Sequence, residues 1–212
     1  MISPRIYTGG DLATNGYLLE GREGIICFDA PEGMARELMR VESKPVVLLL
    51  THGHFDHMWD SVLINEDHQC PVWVHSSDAP MVLDPSYVKT MFGIIPPRAP
   101  EPNQVRNFQI PEGGSALFHC AGEEFRIFHI PGHSPGSVAF YHAGWGVLIS
   151  GDTLFCGGVG RWDLPGGSRA ALLHGLRKHL VPLPPETRVY AGHGPSTTIG
   201  HECETNPYLY TI

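Results

Sequence analysis

With 212 residues, 42% of them hydrophobic, the chain can bury one large core or two small ones. A formal net charge of -8 and only three lysines (Lys44, Lys89 and Lys178) leave no basic face, so neither nucleic acid nor a membrane surface is expected as partner. No apolar run approaches membrane-spanning length and the N-terminus lacks a signal-peptide pattern; the five cysteines are widely spaced without a C-x-x-C pair, so a cytoplasmic protein with free thiols is expected.

In chain order, strands are expected over 15–19 and 25–29, joined by a turn at Glu20 to Gly24. Met34, Leu38 and Val41 recur at helical spacing behind Pro31, which suits a first turn, and predict a helix over 31–41. The run Pro45 to Leu50 is uncharged and rich in valine and leucine, as a buried strand is. A helix over 60–66 and a strand over 71–75 follow, and Ser76, Ser77 and Asp78 offer helix caps. Prolines at 85, 96, 97, 100 and 102 make residues 83–107 an ordered surface loop with one helical turn. Such a loop is either a lid or substrate-binding element or a plain insertion. Strands are expected over 116–119, 124–129, 137–141 and 146–149, then a helix over 168–180 with Leu172, Leu173, Leu176 and Leu180 on one face, then a strand over 188–191. The two strand-rich halves, each closed by helices with no linker between them, read as a single domain over 1–212.

The densest chemistry lies at Thr51-His52-Gly53-His54-Phe55-Asp56-His57, where the strand at 45–50 runs out. Ligands gather at such strand ends in open sheets. In extended backbone His52 and His54 point to one side, so two imidazoles can share one cation. Asp56 and His57 follow at a helix start and can serve a second ion. Three later segments repeat one design, a strand end, a glycine and a ligand: Gly132-His133, Gly151-Asp152 and Gly192-His193. Seven residues suffice for two metals. His52, His54 and His133 would hold one, Asp56, His57 and His193 the other, and Asp152 would bridge. Imidazole with carboxylate suits zinc, the leading expectation, or iron or manganese, rather than calcium or magnesium. Two such ions, about 3.5–4 Å apart, hold a bridging hydroxide and polarise a carbonyl. Asp56 and Asp152 are then the catalytic carboxylates, acting as ligands. No G-x-S-x-G elbow competes.

Taken in order, T-H-G-H-F-D-H, P-G-H-S-P-G-S, G-D-T-L-F and A-G-H-G resemble the metallo-β-lactamase-fold hydrolases, most of all their bacterial glyoxalase II-like group. The resemblance extends through Gly160 to Gly167 and Thr198 to Gly200 to Asn206-Pro207-Tyr208-Leu209. It implies an α+β fold, a four-layer αββα sandwich with two divalent metals at one edge of its sheets. It implies the same ligand assignment, and Asp152 where true β-lactamases carry a cysteine points away from them. Glyoxalase II continues into a helical domain that supplies part of its glutathione site; only 19 residues follow His193, so no such domain is expected. Arg161 stands where that family carries a glutathione-contacting lysine and is the expected substrate-binding cation. The family's tyrosines are replaced by Asp163 and Pro195.

The leading function is hydrolysis of a small-molecule thioester (hydroxyacylglutathione-like) or related ester by metal-bound hydroxide; lactone hydrolysis is a close variant. Persulfide dioxygenases resemble the same fold, share a G-R-x-D motif like Gly160 to Asp163, and hold one iron at positions matching His52, His133 and Asp152. Asp29 reads either as an acceptor for a ligand histidine or as a turn residue. His75 and His129 read as structural, Trp59 and Trp162 as core aromatics or pocket walls, Arg161 and Asp163 alternatively as a loop-bracing pair, and Cys156 as a buried small residue or else one that faces the site.

Overall fold

The computed structural model describes residues 3–210. They form two compact units: one runs to Phe108 and includes Cys120–Glu123, the other takes Gln109–His119 and the chain from Glu124 on.

The first unit opens with an antiparallel meander of β1 (Arg5–Gly9), β2 (Thr14–Gly21) and β3 (Gly24–Phe28). Then β4 (Pro45–Leu49), β5 (Val72–His75) and β6 (Val105–Phe108) add in parallel, giving a six-stranded sheet in sequence order. Parallel neighbours need crossovers. These are α1 (Met34–Leu38), the pair α2 (Phe55–Met58) and α3 (Ser61–His68), and the pair α4 (Ala79–Leu83) and α5 (Tyr87–Phe92). On one face Leu18, Cys27, Leu48, Leu50, Val72 and Val74 form a core with Met34 and Leu38 of α1, Ile64 of α3 and Val82 of α4. Val47 and Leu49 are buried on the opposite face of β4, which explains its unbroken apolar run.

The helix expected over 31–41 shortens to α1, because Gly33 takes a left-handed φ of 91° and the helix starts after it. Residues 83–107 are more structured than expected, holding α5, a 3-10 turn at Pro102–Gln104 and the start of β6. The two strands of this sheet that were missed from sequence, β1 and β6, are its edges. Only Phe108 of β6 is buried and none of β1, so neither carries an apolar alternation to read.

The second unit contributes β7 (Ser115–Cys120), β8 (Glu123–His129), β9 (Val138–His142) and β10 (Val147–Gly151), a short hairpin of β11 (Leu154–Phe155) and β12 (Gly158–Val159), then β13 (Arg188–Ala191) and β14 (Thr197–Thr198). Its main sheet has the order β14-β13-β10-β9-β8-β7. β8 and β10 both run antiparallel to β9, and β13 runs parallel to β10. Hence β8, β10 and β13 point the same way and end at one sheet edge. Helix α6 (Arg169–Gly175) continues into a π turn at Leu176–Leu180; α7 (Ile199–Thr205) and α8 (Pro207–Tyr210) close the chain. The expected leucine face is real: Leu172, Leu173, Leu176 and Leu180 pack on Phe128, Ala139, Leu148 and Val189. Ser168 caps α6 by accepting from Ala171 N, and Thr198 caps α7 by accepting from His201 N.

Among the described residues no helix is long and apolar enough to cross a membrane. All five cysteines are free thiols. Cys156 is exposed, against the expectation of burial: it sits in the turn between β11 and β12, where Gly157 takes a φ of 73°. Burial pushes the Cys27 thiol well up and that of Cys70 to about 11. A thiol reagent near neutral pH should therefore label Cys156 rapidly in the native protein, and Cys27 and Cys70 only after unfolding. Equal native rates for all three, read by mass spectrometry of the labelled peptides, would contradict this burial pattern.

Candidate metal centre

In the first unit the parallel strands β3 and β4 end side by side, and chemistry-bearing residues follow each. Asp29, just past β3, is fully buried and takes a φ of 57°, turning its carboxylate back under the chain. Its Oδ1 accepts from Thr51 N at 2.8 Å and its Oδ2 accepts from His57 Nδ1 at 2.9 Å. The Thr51 hydroxyl donates to Asp29 Oδ2 at 2.9 Å, so its oxygen accepts from His52 Nδ1 at 3.0 Å. With Nδ1 protonated on both rings, Nε2 is the basic atom of His52 and of His57. Of the two readings of Asp29, the structure shows the acceptor for a histidine of the motif, His57.

The His52 ring centroid lies 4.7 Å from that of His54 and 4.1 Å from that of His57. His54 is extended just before α2, and Asp56 stands in its first turn, as the motif predicts. Gly53 permits this crowding: a Cβ there would come within 2.8 Å of the Asp78 carbonyl. The buried Asp78 carboxylate accepts from Gly53 N at 2.9 Å. Asp78 thus holds the motif rather than capping α4, which has no side-chain cap. Thr14 donates to Asp56 Oδ2 at 2.7 Å, and the same oxygen lies 3.4 Å from His57 Nε2.

In the second unit β8, β10 and β13 deliver His133, Asp152 and His193 past their C-terminal ends. Gly132 has a φ of 140°, and a Cβ there would sit 2.5 Å from Leu172 N and Ser168 O, so only glycine lets the start of α6 pack beside His133. His133 Nδ1 donates to the Arg161 carbonyl at 2.8 Å, which again leaves Nε2 basic. Asp152 Oδ2 lies 3.5 Å from His133 Nε2 and 3.4 Å from His193 Nε2. Gly192 N donates to Gly151 O at 2.8 Å, which ties the ends of β10 and β13 together. The loop carrying Arg161 lies directly on this site, since a Cβ on Gly160 would meet Asp152 O at 1.8 Å. The buried Glu202 fastens the adjacent hairpin by accepting from Gly157 N at 2.9 Å, Thr197 Oγ1 at 2.6 Å and Asn206 Nδ2 at 2.8 Å.

Both half-sites set lone pair against lone pair. A carboxylate oxygen and a basic imidazole nitrogen face each other at 3.4 Å in the pair Asp56–His57 and at 3.5 Å in the pair Asp152–His133. In the tautomer set by the Nδ1 bonds, each pair turns two acceptor atoms toward one point, an arrangement that suits a shared cation. A donor set of imidazoles and carboxylates fits a zinc, iron or manganese ion.

The other sequence candidates fall outside the donor set. Arg161 makes a two-pronged, exposed pair with Asp163 at 2.8 Å on each prong, which holds the Asp163 carboxyl down at about 2. Its backbone carbonyl, rather than its guanidinium, touches His133. His129 is structural, accepting from Gly113 N and donating to Pro135 O, and His75 accepts from Ser77 N. Trp162 packs on the core beside Tyr208. Trp59 instead walls a cavity of about 70 Å³ that includes Asp56, Phe55, Leu12 and Ile94. Thr14, Asp78 and Glu202 were not foreseen as supports. No spacing announces Thr14, which lies 42 residues before its partner Asp56.

Comparison with known proteins returns a consistent set of similarities. A family model described as the metallo-beta-lactamase superfamily matches residues 9–193. The crystal structure of TTHA1623 in a di-iron-bound form is 40% identical, covers 97% of this chain and 100% of its own, and gives a TM-score of 0.85. The crystal structure of BLEG-1 B3 metallo-beta-lactamase is 34% identical, covers 98% and 99%, and gives 0.88. The hydroxyacylglutathione hydrolase GloC of Haemophilus influenzae is 34% identical over 84% of each chain.

Asp29→Asn tests the support of the first half-site. Whichever way the amide is turned, its NH₂ meets a donor, either His57 Nδ1–H or Thr51 N–H. Loss of such a support should weaken metal affinity about 10–100-fold, measured by competition with a coloured chelator. Unchanged affinity would contradict the role given to Asp29.

Proposed function

Because the chain belongs to the metallo-β-lactamase superfamily and has its fold, we propose that its two half-sites form one dinuclear centre that hydrolyses a thioester or a related ester. In this reading His52, His54 and His133 take one ion, and Asp56, His57 and His193 the other. Asp152 serves both, having two carboxylate oxygens. The observation that carries this reading is the fixed tautomer of His52, His57 and His133, each with Nδ1 bound to an oxygen and Nε2 left as donor. Zinc is the leading metal, with iron and manganese compatible; the relative TTHA1623 binds two irons.

Bound divalent ions supply a water of lowered pKa and polarise the acyl carbonyl. In the net reaction the water oxygen joins the acyl carbon, the C–S bond breaks, and the departing sulfur receives a proton from the water. The products are an acid and a thiol. The chain's own groups set the geometry. Thr14 holds Asp56 as a ligand, the Arg161 carbonyl and Asp29 aim the imidazoles, and Gly160 brings the Arg161 loop over Asp152. The Arg161 guanidinium is exposed, so a substrate carboxylate can compete with Asp163 for it. The likeness to GloC supports a thioester as substrate, and lactones remain a close variant.

The test is a panel of S-acyl glutathione thioesters, lactones, a β-lactam and glutathione persulfide, given to metal-loaded protein with oxygen monitored. We expect thioester cleavage yielding one thiol per acid without oxygen uptake. Asp152→Asn should lower kcat/KM by about 100-fold or more. Oxygen uptake with the persulfide, and no hydrolysis, would replace this reading with an iron dioxygenase.

A further inference from the structure

The cavity beside Asp56 shares Asp56 and Thr14 with the proposed metal site, but the rest of its wall has no part in that site. Leu12 in the turn between β1 and β2, Phe55 and Trp59 around α2, and Ile94 past α5 make walls that are mostly apolar. The Phe55 ring sits 6.1 Å from that of Trp59 and 5.7 Å from that of Phe92 on α5, so the 83–107 segment is anchored at this pocket. The turn that carries Leu12 is tight, with Gly10 at a φ of 70° and Ala13 at 52°, and Ala13 N donates to Gly10 O at 3.1 Å. Two further carboxylates, Asp11 and Glu32, also line the pocket.

We propose that this pocket is the acyl subsite of the hydrolase, that it accepts short uncharged acyl groups, and that Ile94 sets their length. The proposal rests on the thioester reading above. Size decides which end of the substrate enters. An apolar cavity of about 150 Å³ holds a benzene ring, so about 70 Å³ holds about three heavy atoms. A peptide-sized thiol cannot enter, whereas the carbon chain of a propionyl or butyryl group can. Charge decides which acyl groups are refused. Asp11 and Glu32 repel an acyl chain that ends in a carboxylate, and the apolar walls offer it no counter-ion. Of the two roles open to the 83–107 segment, this assigns it substrate contact.

The experiment is kcat/KM across acetyl, butyryl, hexanoyl, octanoyl and succinyl thioesters of glutathione with metal-loaded protein. Activity should peak at two to four acyl carbons, fall about 10-fold or more by octanoyl, and be about 10-fold lower for succinyl than for butyryl. Ile94 is partly exposed, so its variants should fold. Ile94→Ala should move the optimum to hexanoyl or longer, and Ile94→Trp should restrict it to acetyl. A readout free of turnover is the tryptophan fluorescence of metal-free protein with butyramide as probe. A saturable change is expected that Trp59→Phe abolishes and hexanamide does not produce. A flat chain-length profile, or no shift in Ile94→Ala, would overturn the pocket assignment while leaving thioester hydrolysis standing. No turnover of any thioester by protein with metal bound would overturn both.

Discussion

One buried carboxylate organises the first half of the site. Asp29 has no exposure, and an ionised carboxylate withdrawn from water costs several kcal/mol, on the order of that for any buried ion, unless its lone pairs are satisfied. They are satisfied by Thr51 N, Thr51 Oγ1 and His57 Nδ1. These three bonds tie the end of β3 to the end of β4 and to α2. They also set the proton on two imidazoles, since Thr51 passes the constraint on to His52 Nδ1. A structural bond and a chemical one are therefore the same bond: what closes the sheet edge also decides which nitrogen each imidazole leaves basic.

The second half reaches the same end by backbone means. His133 is oriented by the Arg161 carbonyl, and that carbonyl is in place because Gly160 lets its loop approach Asp152 closely. Gly132 gives α6 its seat beside His133, and Glu202 and Asn206 hold the neighbouring hairpin. Three strands running in one direction bring His133, Asp152 and His193 to one edge. Each strand is short, so what places the side chain is the glycine turn after it and the contact that turn permits.

Much of this was legible in the sequence. β4 announces itself because it is buried on both faces, and the leucine face of α6 because one stripe is buried. The ligand motifs are legible because metal chemistry tolerates few residue types and each sits next to a glycine. The supports are not legible in this way. Thr14, Asp78 and Glu202 act across long sequence separations through ordinary residue types that spacing does not mark. The edge strands β1 and β6 leave no apolar pattern because one side of each faces no neighbour strand. Cys156 was misread for a related reason, since a small residue near a motif says nothing about whether a hairpin turn lies over a core. Arg161 adds a part that residue type cannot announce: its backbone carbonyl orients His133.

The central claim is that two lone-pair-facing half-sites make one centre for two ions. Elemental analysis of protein expressed without added metal, repeated after zinc reconstitution and dialysis, tests it most directly. The account predicts close to two ions per chain, falling to about one when Asp56 and His57 are both replaced by alanine, with the His52 side intact. A single ion in the unaltered chain under every loading condition, or none, would contradict it.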